Sequence, residues 1–375
     1  MTSAVLRPAV LLVVMLGAAC SSQPTAANGS PADAQSPADA QLPVDAAAWT
    51  NPYAAECADA AVPPETIECT GLYANLATKE IAPDNQPYAP AVPLWADTAE
   101  KERWIWLPPG TTIDRSDPNE WVFPVGTKVW KQFSRDLDGQ PITVETRLFQ
   151  KERTGFWVYT TYAWNDAGTE ATISGGGDIP WGADGGLYHI PTPDECDQCH
   201  RGRNDRLMGF EEVSLGLPDA SGLTLSELAA QNLLSPPPPS THLTVGDDGT
   251  GVAAAPLEWL HVNCGVSCHN DNPDSTGYGS SMRLRLDPTL LDGGPSTNFD
   301  PRTTTIGVTA NNPMWNDQTR IVAGDAGASL LVTLITSRGT NNAAQNQMPP
   351  IATYIVDVPD TQHVIEWINK MPPSP

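Results

Sequence analysis

The chain has 375 residues, enough for two domains with hydrophobic cores. Acidic residues outnumber basic residues by 44 to 20, and the formal charge of −24 excludes binding to nucleic-acid phosphates as a main function. Charged residues make up only 17% of the chain, whereas 37 prolines and 30 glycines indicate many loops, as in an exported protein.

The first 19 residues have the pattern of a signal peptide. Arg7 precedes an apolar run that ends at Ala19 and is too short for a mature transmembrane helix. The following Cys20 completes a sequence that resembles a bacterial lipobox, so we expect a lipid anchor on Cys20 and a location in the cell envelope, at the outer membrane or the periplasmic face. Cleavage as an ordinary signal peptide is the alternative.

Residues 20–48 are rich in Ala, Pro, Ser and Asp, and this composition predicts a disordered linker. Two isolated cysteines follow, Cys57 and Cys69. Because an exported chain meets an oxidising compartment, we expect them to form a disulfide.

Residues 49–190 are predicted to form an antiparallel β-rich domain, a sandwich or a barrel. Segments that alternate apolar and polar residues are separated by turns rich in Gly, Pro, Asn and Asp. The predicted strands are 103–107, 120–125, 127–134, 143–150, 156–165 and 170–174.

Residues 191–375 are predicted to form a mainly helical domain. Helices are expected at 224–234, from Pro256 through the second cysteine cluster, and at 360–371. The fold class expected for the whole chain is therefore α+β.

Cys196, Cys199 and His200 form a C-x-x-C-H motif, which is typical of covalent haem attachment. On a helix that turns about 100° per residue, the two thiols lie about 60° apart on one face. Both can therefore bond the vinyl groups of one haem, and His200 follows as the iron ligand.

Cys264, Cys268 and His269 form a second cluster with the longer spacing C-x-x-x-C-H. The thiols of such a motif still lie about 40° apart on a helix, so a second haem is expected here, although the spacing departs from the common motif.

Each haem of an electron carrier usually has two axial ligands. Met348, in a proline-rich loop before the last helix, is the predicted second ligand at the Cys264–His269 site, where a thioether would raise the reduction potential. His261 is the first choice for the other haem, because it lies on one helical stripe with Cys264 and Cys268; the alternative is that it only hydrogen-bonds a propionate. Met208, His189 and His242 remain alternatives for it. Arg201, Arg203 and Arg206 are expected either to pair with haem propionates or surface acids or to be simply solvated.

Two other interpretations of the cysteines are weaker. Four cysteines and two histidines could bind zinc, but 64 residues separate Cys199 from Cys264 and nothing in the sequence unites the two clusters. A redox-active C-x-x-C would be expected in a βαβ context, which the flanking sequence lacks.

The chain is similar to exported bacterial dihaem c-type cytochrome-like proteins. The similarity covers most of the chain after residue 50 and is carried by LWADTAEKERWIWLPPGT (94–111), WVFPVGTKVWKQFS (121–134), TRLFQ (146–150), YTTYAWN (159–165), CDQCHRGRNDRLMGFE (196–211), LHVNCGVSCHN (260–270) and MPP (348–350). It implies a C-terminal cytochrome c-like domain, two haem c groups with His200 and His269 as proximal ligands, and electron transfer.

The acidic surface favours a redox partner protein with a basic surface. Two alternatives stay open. One is a haem oxidoreductase of the peroxidase type with one open iron site. The other is a zinc-stapled surface protein that binds a ligand.

Overall fold

A computed structural model describes residues 49–137, 139–181, 186–291, 293–338 and 346–373. The predicted signal peptide, the lipidation site Cys20 and the predicted linker lie outside the described residues. The chain from Trp49 onward clusters as one compact unit.

The largest element is a seven-stranded antiparallel sheet with the strand order β12-β3-β4-β6-β7-β8-β9. Its edge strands β12 and β9 are not paired with each other, so within the described residues the sheet is open and is not a closed barrel. The strands are β1 (Tyr73–Asn75), β2 (Glu80–Ile81), β3 (Gln86–Ala89), β4 (Glu100–Trp106), β5 (Ile113–Asp114), β6 (Lys128–Leu137), β7 (Gln140–Arg153), β8 (Phe156–Trp164), β9 (Ala171–Ser174), β10 (Gly177–Trp181), β11 (Gly186–Ile190), β12 (Ser221–Gly222) and β13 (Leu234–Ser235).

Five of the six predicted strands are present, as β4, β6, β7, β8 and β9. The strand predicted at 120–125 is wrong, because Val122 makes only an isolated bridge to Asp114. The next amide, that of Phe123, donates to the Asp205 carboxylate at 2.7 Å, and Pro124 has no amide hydrogen to donate. At Phe123 the backbone amide therefore bonds a side chain and not a neighbouring strand.

The helices are short and joined by long loops. They are α1 (Pro193–His200), α2 (Glu212–Gly216), α3 (Leu225–Ala230), α4 (Ala254–Leu260), α5 (Asp300–Thr303), α6 (Leu330–Ile335) and α7 (Val358–Lys370). A π-helical turn, His261–Gly265, continues α4. The three predicted helices correspond to α3, α4 and α7, and the chain is of mixed α+β class.

Each face of the large sheet is covered. One face packs on the segment before β4 through Ile67, Leu72, Tyr73, Trp104, Trp130, Leu148 and Tyr162. The opposite face packs on residues that follow the first cysteine cluster, through Ile105, Val129, Phe149, Trp157, Leu207, Phe210 and Val213. The hydrophobic core therefore runs across residue 190, where the sequence predicted a domain boundary.

Cys57 and Cys69 form the expected disulfide, with Cα atoms 5.3 Å apart. The bridge closes a loop of 12 residues. No described helix combines the length and apolar character needed to cross a membrane.

Replacing both cysteines with serine is expected to lower the free energy of unfolding by roughly 3 kcal/mol, because the cross-link restricts the unfolded chain. Urea unfolding of the double variant, beside wild type with and without reductant, measures this loss. An unchanged midpoint in both comparisons would contradict the expected stabilisation.

Candidate functional site

The second cysteine cluster opens into a cavity of about 520 Å³. Cys264, Cys268 and His269 line it together with Met348, which is distant in sequence. Its volume lies in the range of roughly 300–1,000 Å³ that is typical of cofactor pockets. Much of the wall is apolar, including Leu94, Trp95, Leu284, Trp315, Leu330, Leu331 and Leu334.

The extra residue of the C-x-x-x-C-H motif is absorbed by the π-helical turn. Val266 donates its amide hydrogen to the carbonyl of His261, and His269 donates to that of Cys264, both at 2.8 Å and both five residues apart. A π-type turn holds one residue more than an α-helical turn. His269 therefore follows Cys264 by one widened turn, and both thiols and the imidazole line one cavity.

The His269 imidazole is held so that Nε2 remains available. The Ser280 hydroxyl donates to the Gly277 carbonyl, so its oxygen accepts a hydrogen bond from Nδ1 of His269 at 3.2 Å. Burial lowers the pKa of His269 to about 4, which favours the neutral, metal-binding form. Gly277 packs closely here, since an added Cβ would lie 2.6 Å from the Cys268 carbonyl oxygen and 2.9 Å from Nδ1 of His269.

The first cluster lies on α1. Thr192 and Glu195 form a capping box and Pro193 occupies the first turn, which fixes where the helix begins. Nδ1 of His200 donates to the carbonyl of Arg206 at 2.6 Å, which leaves Nε2 as the free ligand atom. Burial lowers the pKa of His200 to about 3, so this imidazole is also neutral.

The loop after α1 is fixed to the sheet by Asp205. Its carboxylate accepts hydrogen bonds from Lys151 at 2.6 Å, from the Trp157 indole at 3.0 Å and from the Phe123 amide at 2.7 Å. Asp205 and Lys151 are both buried. The neighbouring carbonyl of Arg206, which orients His200, is thereby held in place.

The two clusters touch each other. The thiols of Cys199 and Cys268 lie close enough to interact, and this interaction raises the pKa of Cys199 and lowers that of Cys268 to about 6. Cys199 lines the same cavity as the second cluster. The backbones meet at Gly202, where an added Cβ would lie only 1.7 Å from the carbonyl oxygen of Ser267. The structure thus brings together two motifs that the sequence leaves 64 residues apart.

His261 is buried and is not among the residues that line the cavity. Its Nδ1 accepts the amide hydrogen of Leu286 at 2.9 Å, and its Nε2 lies 3.4 Å from the Glu211 carboxylate. Burial alone would raise the pKa of Glu211, but the contact with His261 and the charge of Arg203 lower it to about 2. Both nitrogens thus contact protein groups in the core, and iron ligation by His261 stays a prediction.

The alternatives to His261 differ in position. Met208 lines the cavity beside Cys199. His189 contacts Asp178 at 2.7 Å and Glu195 at 3.0 Å, whereas His242 is exposed on a loop. Met208 is thus the alternative that faces the cavity.

The arginines around the first motif already have acidic partners. Arg206 lies 2.6 Å from Asp197, and the more exposed Arg201 lies 4.0 Å from the same carboxylate. Arg203 is buried against Glu120 at 3.4 Å. Of the predicted roles, the structure shows the pairing with acids.

Arg320 is a cavity residue that the motifs did not indicate. It is buried and donates to the main-chain carbonyls of Thr304, at 2.7 Å, and Ser280. No motif surrounds it in the sequence, so only its place in the cavity wall reveals it. A cation bound to carbonyl groups alone can still pair with an acidic group of a ligand.

The described residues include no group of three or more His, Cys, Asp or Glu side chains arranged to hold a metal ion.

Comparisons with family models, with curated proteins and with solved structures gave no match to this chain. The resemblance to dihaem c-type cytochrome-like proteins accordingly stays a prediction from the motifs.

Proposed function

We propose that this protein is a c-type cytochrome that binds haem covalently and transfers electrons in the cell envelope. One observation carries the proposal: Cys264, Cys268, His269 and Met348 line a single cavity of cofactor size. Two thiols, one imidazole and one thioether are the donors that a haem c with His/Met ligation requires.

The residues of the cavity fit a haem. Cys264 and Cys268 would bond the vinyl groups, Nε2 of His269 would ligate the iron and the sulfur of Met348 would be the second axial ligand. The apolar wall suits the macrocycle, and Arg320 offers a cation to a propionate. When bound, the haem supplies a one-electron iron couple, while the protein sets its ligands and its exposure to water.

The first motif would hold the second haem. Cys196 and Cys199 are on one helix, and Nδ1 of His200 is bonded to a carbonyl as in many metal-binding histidines. Since Cys199 and Cys268 line the same cavity and the backbones meet at Gly202 and Ser267, the two attachment points are adjacent. Adjacent attachment points favour a carrier in which electrons pass between two centres.

Protein made in a host with haem-attachment machinery is expected to carry two haems. The denatured intact mass, combined with a pyridine haemochrome spectrum, gives the number directly, and peptide masses locate each haem. Cys264→Ala should keep the first haem and remove the double attachment of the second, whereas Cys57→Ser/Cys69→Ser serves as a control that keeps both.

Wild-type protein without covalent haem would overturn the proposal and would favour a ligand-binding surface protein. High-spin, five-coordinate haem at the Cys196–His200 site would instead favour the peroxidase-type alternative, because such an enzyme keeps one coordination position open for its substrate.

The net charge of −24 suits a redox partner with a basic surface and an encounter that weakens with added salt. A lipid on Cys20 would hold the protein at the outer membrane or the periplasmic face, where such partners are met.

A further inference from the structure

Three basic residues face one another across strands β4, β6 and β7. Arg103 is directly opposite Lys131, and Lys131 is directly opposite Arg147 in the antiparallel register. Lys101 precedes Arg103 by two residues and therefore points to the same face of the sheet. Like charges directly opposite each other destabilise a sheet, so this arrangement calls for a compensating group.

Few described groups compensate these charges, and burial disfavours the charged form of both lysines: it lowers the pKa of Lys101 to about 7 and that of Lys131 well below its usual value. Arg103 is 6% exposed, and the structure shows no hydrogen bond or ion pair between its guanidinium and a described residue. Lys131 likewise has no described ion pair, and its ammonium lies 5.3 Å from the Phe133 ring. Lys101 donates to the main-chain carbonyl of Leu94. Arg147 alone has a close carboxylate, that of Glu145 at 2.5 Å.

These cations lie beside the first haem-attachment motif. Phe149, two residues beyond Arg147 on the same face, stacks on the His200 ring at 4.2 Å. Leu94, whose carbonyl binds Lys101, also lines the cavity.

A buried charge is strongly unfavourable unless an opposite charge accompanies it. A haem brings two carboxylates, and a guanidinium can hold a carboxylate through two parallel hydrogen bonds. We infer that Lys101, Arg103 and Lys131 form the propionate-binding surface for the haem bonded to Cys196 and Cys199. The inference rests on the proposed function. It also explains why the arginines of the motif loop can be paired with Asp197 and Glu120 instead.

The test uses the haem-loaded protein and the variants Arg103→Gln and Lys131→Gln. The control is Arg153→Gln, which removes the same charge from the exposed end of β7. A cation beside a haem favours addition of an electron. Each test variant should therefore lower the equilibrium constant for reduction of the first haem at least threefold, or about 28 mV at 59 mV per decade. Arg153→Gln should change this equilibrium constant by a smaller factor.

Arg103→Lys separates the effect of charge from that of packing. It keeps a cation at this position, so the reduction potential of the first haem should be closer to wild type than in Arg103→Gln. Equal losses in Arg103→Lys and Arg103→Gln would overturn the inference, and so would test variants that match Arg153→Gln. Lys131 is less buried than Arg103, so its variant serves if Arg103→Gln does not fold.

Titration in added inorganic phosphate covers the other source of a bound anion. A phosphate-dependent potential in wild type that is absent in Arg103→Gln would mean that the cations bind free anions, and would overturn the assignment to propionates. Peptide masses of wild type distinguish failure of the proposed function from failure of the propionate-binding surface. If Cys196 and Cys199 carry no haem, the proposed function itself is contradicted.

Discussion

Replacing Met348 with alanine is expected to lower the reduction potential of the haem proposed at Cys264 and Cys268 by on the order of 0.1 V or more, since axial ligand identity moves haem potentials over a range of roughly 0.8 V. A thioether ligand favours ferrous iron, so its loss favours the ferric form. Spectroelectrochemical titration of the haem-loaded protein measures the shift, and loss of the sulfur-to-iron charge-transfer band should accompany it.

Met282 provides a matched control, because it lines the same cavity and is not a candidate ligand. Met282→Ala should leave the charge-transfer band in place. Met208→Ala tests the alternative ligand: a band that survives in Met348→Ala but disappears in Met208→Ala would show that the axial ligand is Met208.

The sequence predicts most of the large sheet, because its strands alternate apolar and polar residues and are separated by strong turn signals. It also places the thiols and imidazoles, because each Cys/His motif is local and spans one or two helical turns. Met348 could be connected to the second motif only through the proline-rich loop around it. The structure supports that connection by placing both in one cavity wall.

The prediction for His261 shows where a local pattern is not enough. It assumed a regular α-helix, on which His261, Cys264 and Cys268 share one stripe. The π-helical turn at His261–Gly265 changes the register between these residues. His261 then faces Leu286 and Glu211 in the core, while the two cysteines face the cavity.

The cluster of Lys101, Arg103, Lys131 and Arg147 could not be predicted from the sequence for a different reason. Alternation within a strand predicts that Lys101 and Arg103 share a face, but it does not give the register between strands. The strand register shows that like charges lie opposite each other near the first motif: Arg103 is opposite Lys131, and Lys131 is opposite Arg147. Nor could the sequence show that Cys199 contacts Cys268, since that contact depends on the close approach of two loops at Gly202.

Replacing Asp205 with asparagine is expected to lower the free energy of unfolding by about 3–5 kcal/mol, because it leaves the Lys151 ammonium buried without its partner charge. The ammonium is 2.6 Å from the carboxylate, and both side chains are almost fully buried. Urea unfolding of the variant and of wild type measures the loss. Asp271→Asn is a suitable control, since it breaks an ion pair whose carboxylate is largely exposed and should have little effect.

The double variant Lys151→Met/Asp205→Leu removes both charges. It should be more stable than Asp205→Asn, because two apolar side chains leave no unpaired charge in the core. A double variant less stable than Asp205→Asn would show that the hydrogen bonds to Trp157 and Phe123 matter more than the ion pair. Either outcome bears on haem binding, since the same loop carries the Arg206 carbonyl that fixes His200. We therefore expect Asp205→Asn to broaden the spectrum of the first haem while leaving that of the second unchanged.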